Sequence, residues 1–361
     1  MNVVPCVLDG RVCAVTLDCD GLVRVRDVLT GKDVREPTGP GCHGLSAPGE
    51  QGWLLRAVTL DSVPHAVLPV SGGVEYWDLD TGCRRWRLEG SSRSDAGPLV
   101  EDLEVFRTSG GEFRLGVATE DELWLVDSAT GLLLLPPLTV PMDSTWQVWA
   151  LPDARSTDLV AVTSGWGEVA LWDLTGSRLG DVHEGGVDPV TVQGYRDHEG
   201  RLRLALVHQQ NPEVVMSWQP ETNRTETLLE STSPFLFADD PRLVGAVAVT
   251  ARNDSVLEGH RLRDGEVILR ADHPATGDVR WLVVLPGSGG SVWACCFANE
   301  LRFLDTTTGR WSDPITTFHP TLKWHVRDIG TVHAAPEGQL LLGFTDGWAV
   351  VKPDRTPPGE D

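Results

Sequence analysis

The chain has 361 residues, and its formal net charge is −22 because 52 acidic residues stand against only 30 basic ones. A surface this acidic repels phosphate groups, so we expect no nucleic-acid partner and no docking on an anionic membrane. We expect the charge to serve as a solubilising surface.

The chain is longer than the ~250 to 300 residues at which a single core stops growing, so it holds either two domains or one large ring of repeats. Its start, MNVVPCVLDGR, lacks the basic and apolar regions of an export signal. No apolar stretch approaches the ~18 residues of a membrane span. The seven cysteines include no C-x-x-C pair, which is typical of reduced thiols. We therefore expect a cytoplasmic protein.

One predicted element recurs in chain order: an apolar strand that ends in Asp and is followed by a turn with Gly. The five clear copies are GLVRVRDVLTGK, GVEYWDLDTGC, ELWLVDSATGL, EVALWDLTGSR and ELRFLDTTTGR, with Asp27, Asp78, Asp127, Asp173 and Asp305 as their anchor residues. In this turn we expect Asp or Thr side chains to accept backbone N–H groups, while Gly supplies a positive φ.

Two decayed copies and one half-copy extend the series. In VVMSWQPETNRTE the anchor is Gln219, in GHRLRDGEVIL the Asp264-Gly265 step predicts a tighter turn, and DGWAVVKPD closes the chain. The anchors recur about every 40 to 50 residues, which is the length of one propeller blade. Alternating apolar runs such as RVCAVTL and FRLGVAT precede the anchors and are typical of inner blade strands.

These repeats predict an all-β fold, a single β-propeller of four-stranded antiparallel blades. The anchors favour eight blades, with seven as the alternative. We expect the propeller over residues 1–353 and a disordered C-terminal tail over 354–361. Residues 3 to 8 are predicted to pair with residues 11 to 17, which leaves blade eight without an outer strand unless residues 1–4 or the tail supply one.

The order of two apolar strands, an Asp-Gly turn, a strand ending in Trp-Asp and a Thr-Gly step resembles the WD-repeat β-propeller family. VLDGRVCAVTLDCDGLVRVRDVLTGK is similar in particular to the repeats of actinobacterial members. The resemblance covers nearly the whole chain, although Trp-Asp itself occurs only at 77–78 and 172–173. His183 and His273 lie near the family's Gly-His step, where the His hydrogen-bonds within the blade. The resemblance implies a rigid, non-catalytic scaffold that binds proteins.

A second resemblance points to a different class of protein. Asp78, Thr81, Gly82 and Trp86 resemble the tryptophan-docking motif of eight-bladed quinoproteins, which bind pyrroloquinoline quinone and carry adjacent cysteines like those at 295–296. Only this copy has a Trp at that offset, and the two cysteines lie inside an apolar strand. We therefore expect no catalytic residue, no cofactor and no metal. The alternative is a propeller enzyme or small-molecule sensor that uses the central channel, either quinoprotein-like or a metal-dependent hydrolase.

Tryptophan is the least ordinary feature of the composition, with 14 Trp against 2 Tyr. Four Trp are predicted to open the first strand of a blade, which lines the channel, and two Arg lie close to them. These candidate partner-binding residues are Trp53, Arg56, Trp146, Trp281, Trp324 and Arg327. Aromatic and Arg side chains at a channel mouth are typical of interface hot spots, although indoles also seal gaps between blades. We expect a monomer that binds an unidentified protein partner.

Overall fold

The computed structural model describes residues 3–18, 20–41, 54–60, 63–90, 99–142, 145–151, 158–185, 188, 190–240, 245–252, 256–273, 279–285, 292–297, 300–319, 324–325, 329–344 and 347–353. These residues form an eight-bladed β-propeller, which confirms the prediction of an all-β fold with eight rather than seven blades. They contain almost no helix, and none that is long and apolar enough to cross a membrane. The tail predicted over 354–361 lies outside the described residues.

The strands are numbered in chain order and grouped by blade, with semicolons between blades. Blades one to four contain β1 (Val3–Leu8), β2 (Arg11–Leu17), β3 (Val23–Asp27); β4 (Arg56–Leu60), β5 (Val63–Val70), β6 (Gly73–Asp78), β7 (Cys83–Glu89); β8 (Val100–Arg107), β9 (Phe113–Thr119), β10 (Glu122–Asp127), β11 (Leu138–Thr139); β12 (Thr145–Leu151), β13 (Leu159–Ser164), β14 (Val169–Asp173). Blades five to seven contain β15 (Val190–Arg196), β16 (Leu202–His208), β17 (Asn211–Gln219), β18 (Arg224–Glu230); β19 (Phe235–Asp240), β20 (Gly245–Arg252), β21 (Val256–Arg261), β22 (Val267–Asp272); β23 (Val279–Leu285), β24 (Val292–Phe297), β25 (Leu301–Asp305), β26 (Arg310–Trp311). A separate hairpin of β27 (Thr317–His319) and β28 (Trp324–His325) precedes blade eight, which contains β29 (Thr331–Ala335), β30 (Gln339–Gly343) and β31 (Trp348–Val351).

The apolar core is divided into layers between neighbouring blades. Each hydrophobic cluster joins two adjacent blades, and the series runs around the whole ring from blades one and two back to blades eight and one. Middle strands such as β13 and β30 are buried along their entire length because a blade covers each of their faces. A ring of layers therefore lets 361 residues fold without one oversized core.

The ring closes by side-chain packing between blades one and eight, a contact that we call the seam. Val3 and Ala14 of blade one lie in one cluster with Ala335 and Leu341 of blade eight. Among the described strands, β1 pairs only with β2, and blade eight has three strands. The described part of the chain therefore has no strand shared between the first and last blades.

The turn after the third strand of a blade is built as the sequence predicts. The Asp78 carboxylate accepts the N–H groups of Asp80 and Thr81, both at 2.9 Å, and Gly82 has a φ of 69°. Asp27, Asp127 and Asp305 repeat this arrangement. The turn after Asp173 is one residue shorter: the carboxylate accepts the N–H groups of Thr175 and Ser177, and the Gly176 N–H donates to Asp173 O. In the Gln219 copy, Asn223 replaces Gly at a φ of 49°.

The prediction of a tighter turn in blade six is wrong. The Gly265 N–H donates to Arg261 O at 2.8 Å, which is the same four-residue step that joins Gly82 to Asp78. The anchor position of this blade is therefore Arg261, three residues before Asp264. The guanidinium of Arg261 binds the Asp264 carboxylate at 2.8 Å. In this blade Asp264, rather than the anchor residue, therefore supplies the carboxylate of the turn.

We expect Asp78→Asn to make unfolding less sensitive to acid. Burial alone would raise the pKa of Asp78, but hydrogen bonds from Thr81 and Asp80 outweigh it and hold the pKa below its usual value. Such a carboxylate stabilises the fold above its unfolded pKa, and this contribution is lost as the pH falls through its folded pKa. Asparagine keeps a hydrogen-bond acceptor but no charge, so the variant should be about 1 kcal/mol less stable than wild type at pH 7. Below about pH 4 this difference in unfolding free energy should become smaller. Denaturant titrations across this range measure the difference, and parallel acid profiles would contradict it.

Candidate functional site

The topology gives the ring two distinct faces. We call the side on which each first strand begins the upper face, and the turns between second and third strands lie on the same side. The lower face carries the turns after the first and third strands, including all the anchor residues. The candidate partner-binding residues were predicted for the upper face.

Trp281 lies on the upper face, near the start of the first strand of blade seven. A bulge between Val279 and Trp281 adds a residue to β23 opposite β24. In a regular strand one of two successive side chains would face a neighbouring blade, but here both Arg280 and Trp281 are exposed. The Trp281 indole remains 41% exposed, so it is available to a partner.

Trp166 is a second exposed indole on the upper face, and sequence reasoning missed it. Trp166 lies in the turn between β13 and β14, where its backbone N–H donates to Ser164 Oγ at 3.1 Å and Gly167 has a φ of 78°. The side chain is 58% exposed. The available signal was the sequence Ser-Gly-Trp-Gly, because an indole in a tight turn between two buried strands points away from its own blade.

Two acidic residues belong to the segments around Trp166. Glu168 belongs to the same turn, and Gly185 packs against Gly167, which places Glu184 beside it. Among the described residues neither Glu168 nor Glu184 has an ion-pair partner, and Glu168 Oε2 is buried without a hydrogen-bond partner. The surroundings of this indole therefore favour a cationic group.

Blade three adds more negative charge to the same face. Glu101 is the second residue of β8, while Glu120 and Asp121 occupy the turn between β9 and β10 and are exposed. Burial, and then the negative charge of Glu120, raise the pKa of Glu101. Mutual repulsion of this kind is relieved when a cation binds nearby.

Arg56 lies in the inner wall of the ring rather than free at the mouth. Its guanidinium binds Asp102 at 3.2 Å and Glu104 at 3.3 Å, both on the first strand of blade three. Asp102 Oδ2 also accepts the N–H of Val148 on the first strand of blade four at 3.0 Å. One chain of polar contacts therefore joins blades two, three and four.

The positive charge of Arg56 also acts on His333, on the first strand of blade eight, and we call Arg56, Asp102, Glu104 and His333 the channel cluster. Burial, and then the positive charge of Arg56, lower the pKa of His333 to about 4, so it is neutral at pH 7. Burial raises the pKa values of Asp102 and Glu104, and Arg56 opposes that rise. Within the described part of the chain, no group of three or more His, Cys, Asp or Glu has a geometry that fits a metal ion.

The other predicted partner-binding residues are less completely placed. Trp53 and Arg327 lie outside the described residues, as do the side chains of Trp146 and Trp324. Trp146 belongs to β12, a first strand, as predicted. Trp324 belongs to β28, so the prediction that it opens a blade is wrong: its strand pairs with β27 and ends before blade eight begins at Thr331.

Trp86 forms a contact between blades. Its indole stacks on Tyr76 with ring centroids 4.9 Å apart, and its Nε1 donates to Ser128 O of blade three at 3.0 Å. The segment 78–86, which resembles the tryptophan-docking motif of quinoproteins, thus joins blades two and three on the lower face. Cys295 and Cys296 are buried in β24, and burial raises the pKa of Cys296 to about 12, so the thiol is not reactive.

The two family-like histidines are buried beside the blade that follows them. His183 lies 5.4 Å from the Trp218 ring and within hydrogen-bonding distance of Thr225 Oγ1, at 3.3 Å. His273 stacks on Phe297 with ring centroids 5.1 Å apart. In this chain both histidines serve blade packing.

Comparisons with known proteins bear on the fold. No protein-family model matches the chain, and no curated protein does. The chain is similar to the crystal structure of the computationally designed Ika8 protein, with a TM-score of 0.61 and 15% identity over 96% of this chain and 95% of that one. It is also similar to BBS1N in complex with ARL6DN, with a TM-score of 0.53 and 12% identity over 82% of this chain and 88% of that one. A chain of the mitotic checkpoint complex gives a TM-score of 0.55 and 14% identity over 85% and 90%. At such low identities, the likeness concerns the fold alone.

Proposed function

We propose that the chain is a non-catalytic protein-interaction scaffold that binds its partner through the upper face. The observation that carries this proposal is the placement of Trp166 and Trp281, the two exposed aromatic side chains among the described residues, on that one face. Exposed indoles on a rigid support are the residues that most often dominate binding energy. Two of the similar structures are protein complexes by their own descriptions, which supports the same class of function.

The partner that we propose carries Lys or Arg where it meets blades three to five. The unpaired carboxylates near Trp166 attract cations, and an indole face adds a cation–π contact. The net charge of −22 steers such a partner toward the ring at low salt.

We expect Trp281→Ala and Trp166→Ala each to weaken partner binding by about 30-fold, which corresponds to the loss of a hot-spot side chain. Quantitative affinity capture from the source cells first identifies proteins recovered by wild type. Titration calorimetry with the purified partner then measures the affinity of each variant, at two salt concentrations.

Leu132→Ala is the matched control, because Leu132 is 68% exposed on the lower face and its loss should leave binding unchanged. Circular dichroism confirms that each variant is folded. Equal affinities of wild type and both Trp variants for every captured partner would rule out the upper face. Trp146→Ala and Trp324→Ala extend the same comparison to the candidates whose side chains lie outside the described residues.

We also propose that the chain is a WD-repeat protein of actinobacterial type, a cytoplasmic monomer. Trp77–Asp78 and Trp172–Asp173 end the third strands of blades two and four, which is the position of that pair in the family.

An enzyme or sensor that uses the channel is the second candidate, and the channel cluster is the observation in its favour. We prefer the scaffold because Arg56 and the Val148 N–H already bind the Asp102 carboxylate, while Arg56 also binds Glu104. Buried carboxylates held by a guanidinium and a backbone N–H are typical of a structural role.

A further inference from the structure

Two cysteines lie directly opposite each other in the first hairpin of the ring. Cys6 of β1 and Cys13 of β2 are cross-strand partners in the antiparallel register. Opposed residues of such a pair have Cα atoms about 4.5 to 5.5 Å apart, which is within the range that a disulfide spans. Their side chains lie in the same cluster, facing blade two.

The two thiols also interact chemically. The hydrogen bond between them raises the pKa of Cys6, which burial raises further. The same hydrogen bond lowers the pKa of Cys13, although burial opposes it. The directions of these two shifts favour Cys13 as the attacking sulfur.

We propose that Cys6 and Cys13 are a redox modification site, which forms a reversible intramolecular disulfide when the chain meets a small-molecule disulfide such as glutathione disulfide. The Cys13 thiolate attacks one sulfur of that disulfide and releases one thiolate, which takes up a proton. The Cys6 sulfur then loses its proton, attacks the Cys13 sulfur and releases the second small thiol. Two protein thiols are oxidised, and one small disulfide is reduced to two thiols.

We expect the two thiols to react slowly with an oxidant, and we expect the disulfide that they form to be easily reduced. Cys6 is 4% exposed and Cys13 is fully buried, so the hairpin must open before either reacts. Among the described strands, β1 pairs on one side only and is an edge strand of blade one, so it opens more readily than a central strand such as β2. The β-carbons of opposed residues lie about 4.5 to 5.5 Å apart, farther than the ~3.8 Å of a relaxed disulfide, so the bond is strained and readily reduced.

The test is oxidation of the folded full chain with glutathione disulfide, followed by mass spectrometry. Trypsin cleaves after Arg11 and separates Cys6 from Cys13, so the bond appears as a cross-linked pair of peptides. Because the second peptide also contains Cys19, a Cys19→Ser protein assigns the bond to Cys13. Cys295 and Cys296 serve as internal controls, since adjacent strand residues point to opposite faces and stay reduced unless the protein unfolds.

We expect the Cys6–Cys13 linkage in protein that keeps its circular dichroism spectrum, and we expect dithiothreitol to reverse it. Cys6→Ala should instead leave glutathione attached to Cys13. The proposal is wrong if wild type reacts only at other cysteines such as the exposed Cys83 while Cys6 and Cys13 remain thiols. It is also wrong if the linkage forms only together with oxidation of Cys295 or Cys296.

Discussion

Trp86→Ala should lower the free energy of unfolding by about 3 kcal/mol, because it removes the indole that joins blades two and three. The Trp86 indole covers Gly131 of the blade-three turn so closely that a β-carbon on Gly131 would lie 2.5 Å from Trp86 Cγ. Gly131→Ala should therefore cost about 3 to 4 kcal/mol, the sum of positive-φ strain and a steric clash. Denaturant unfolding measures both values.

A double-mutant cycle separates these two causes. In the Trp86→Ala background the clash is absent, so Gly131→Ala should cost only the strain of its φ of 72°. Gly309→Ala is the matched control, because Gly309 occupies the same turn position in blade seven at a φ of 69° with open space around it. We expect the control and the double-mutant step to cost the same, about 1 to 2 kcal/mol. Additive costs at Trp86 and Gly131 would disprove the contact.

The repeating turn made most of the fold predictable from sequence. Each turn requires an Asp that accepts N–H groups and a Gly at positive φ. These residues are close together in the sequence, so the turn can be recognised from the sequence alone. The apolar runs predicted as inner blade strands are also local patterns, and 11–17 and 113–119 coincide with β2 and β9. Blade six was placed three residues too late because its acidic group, on Asp264, comes from a different turn position.

The candidate site was less predictable because exposure depends on contacts between distant residues. Trp281 was found from its place at the start of a strand, but its exposure results from a bulge opposite β24. Arg56 was predicted only to lie close to a Trp at a strand start; it begins β4, and its partners lie on the next blade, about 50 residues away in sequence. Trp324 was misplaced because a two-stranded hairpin interrupts the repeat before blade eight, and no anchor residue marks it.

Arg56→Ala should lower the free energy of unfolding by about 3 kcal/mol, the lower end of the range for breaking a buried ion pair. Asp102 is only 6% exposed, so it would keep a buried charge without its cation, although the 27% exposure of Arg56 limits the loss. Arg261→Ala is the matched control. Arg261 also binds two carboxylates, but both are well exposed, so we expect a much smaller loss.

The pH dependence and a second substitution test the cause of that loss. Burial raises the pKa of Asp102, so its ionisation opposes folding as the pH rises through the folded value. Without Arg56 the pKa should rise further, and the cost of Arg56→Ala should therefore shrink as the pH falls and Asp102 binds a proton. Adding Asp102→Asn to Arg56→Ala should recover more than half of the lost stability at pH 7, since the amide keeps an oxygen for the Val148 N–H. If the cost does not depend on pH and Asp102→Asn does not recover it, Arg56 acts through packing. If Arg56→Ala weakens partner binding and the restabilised double variant still binds weakly, Arg56 belongs to the interface itself.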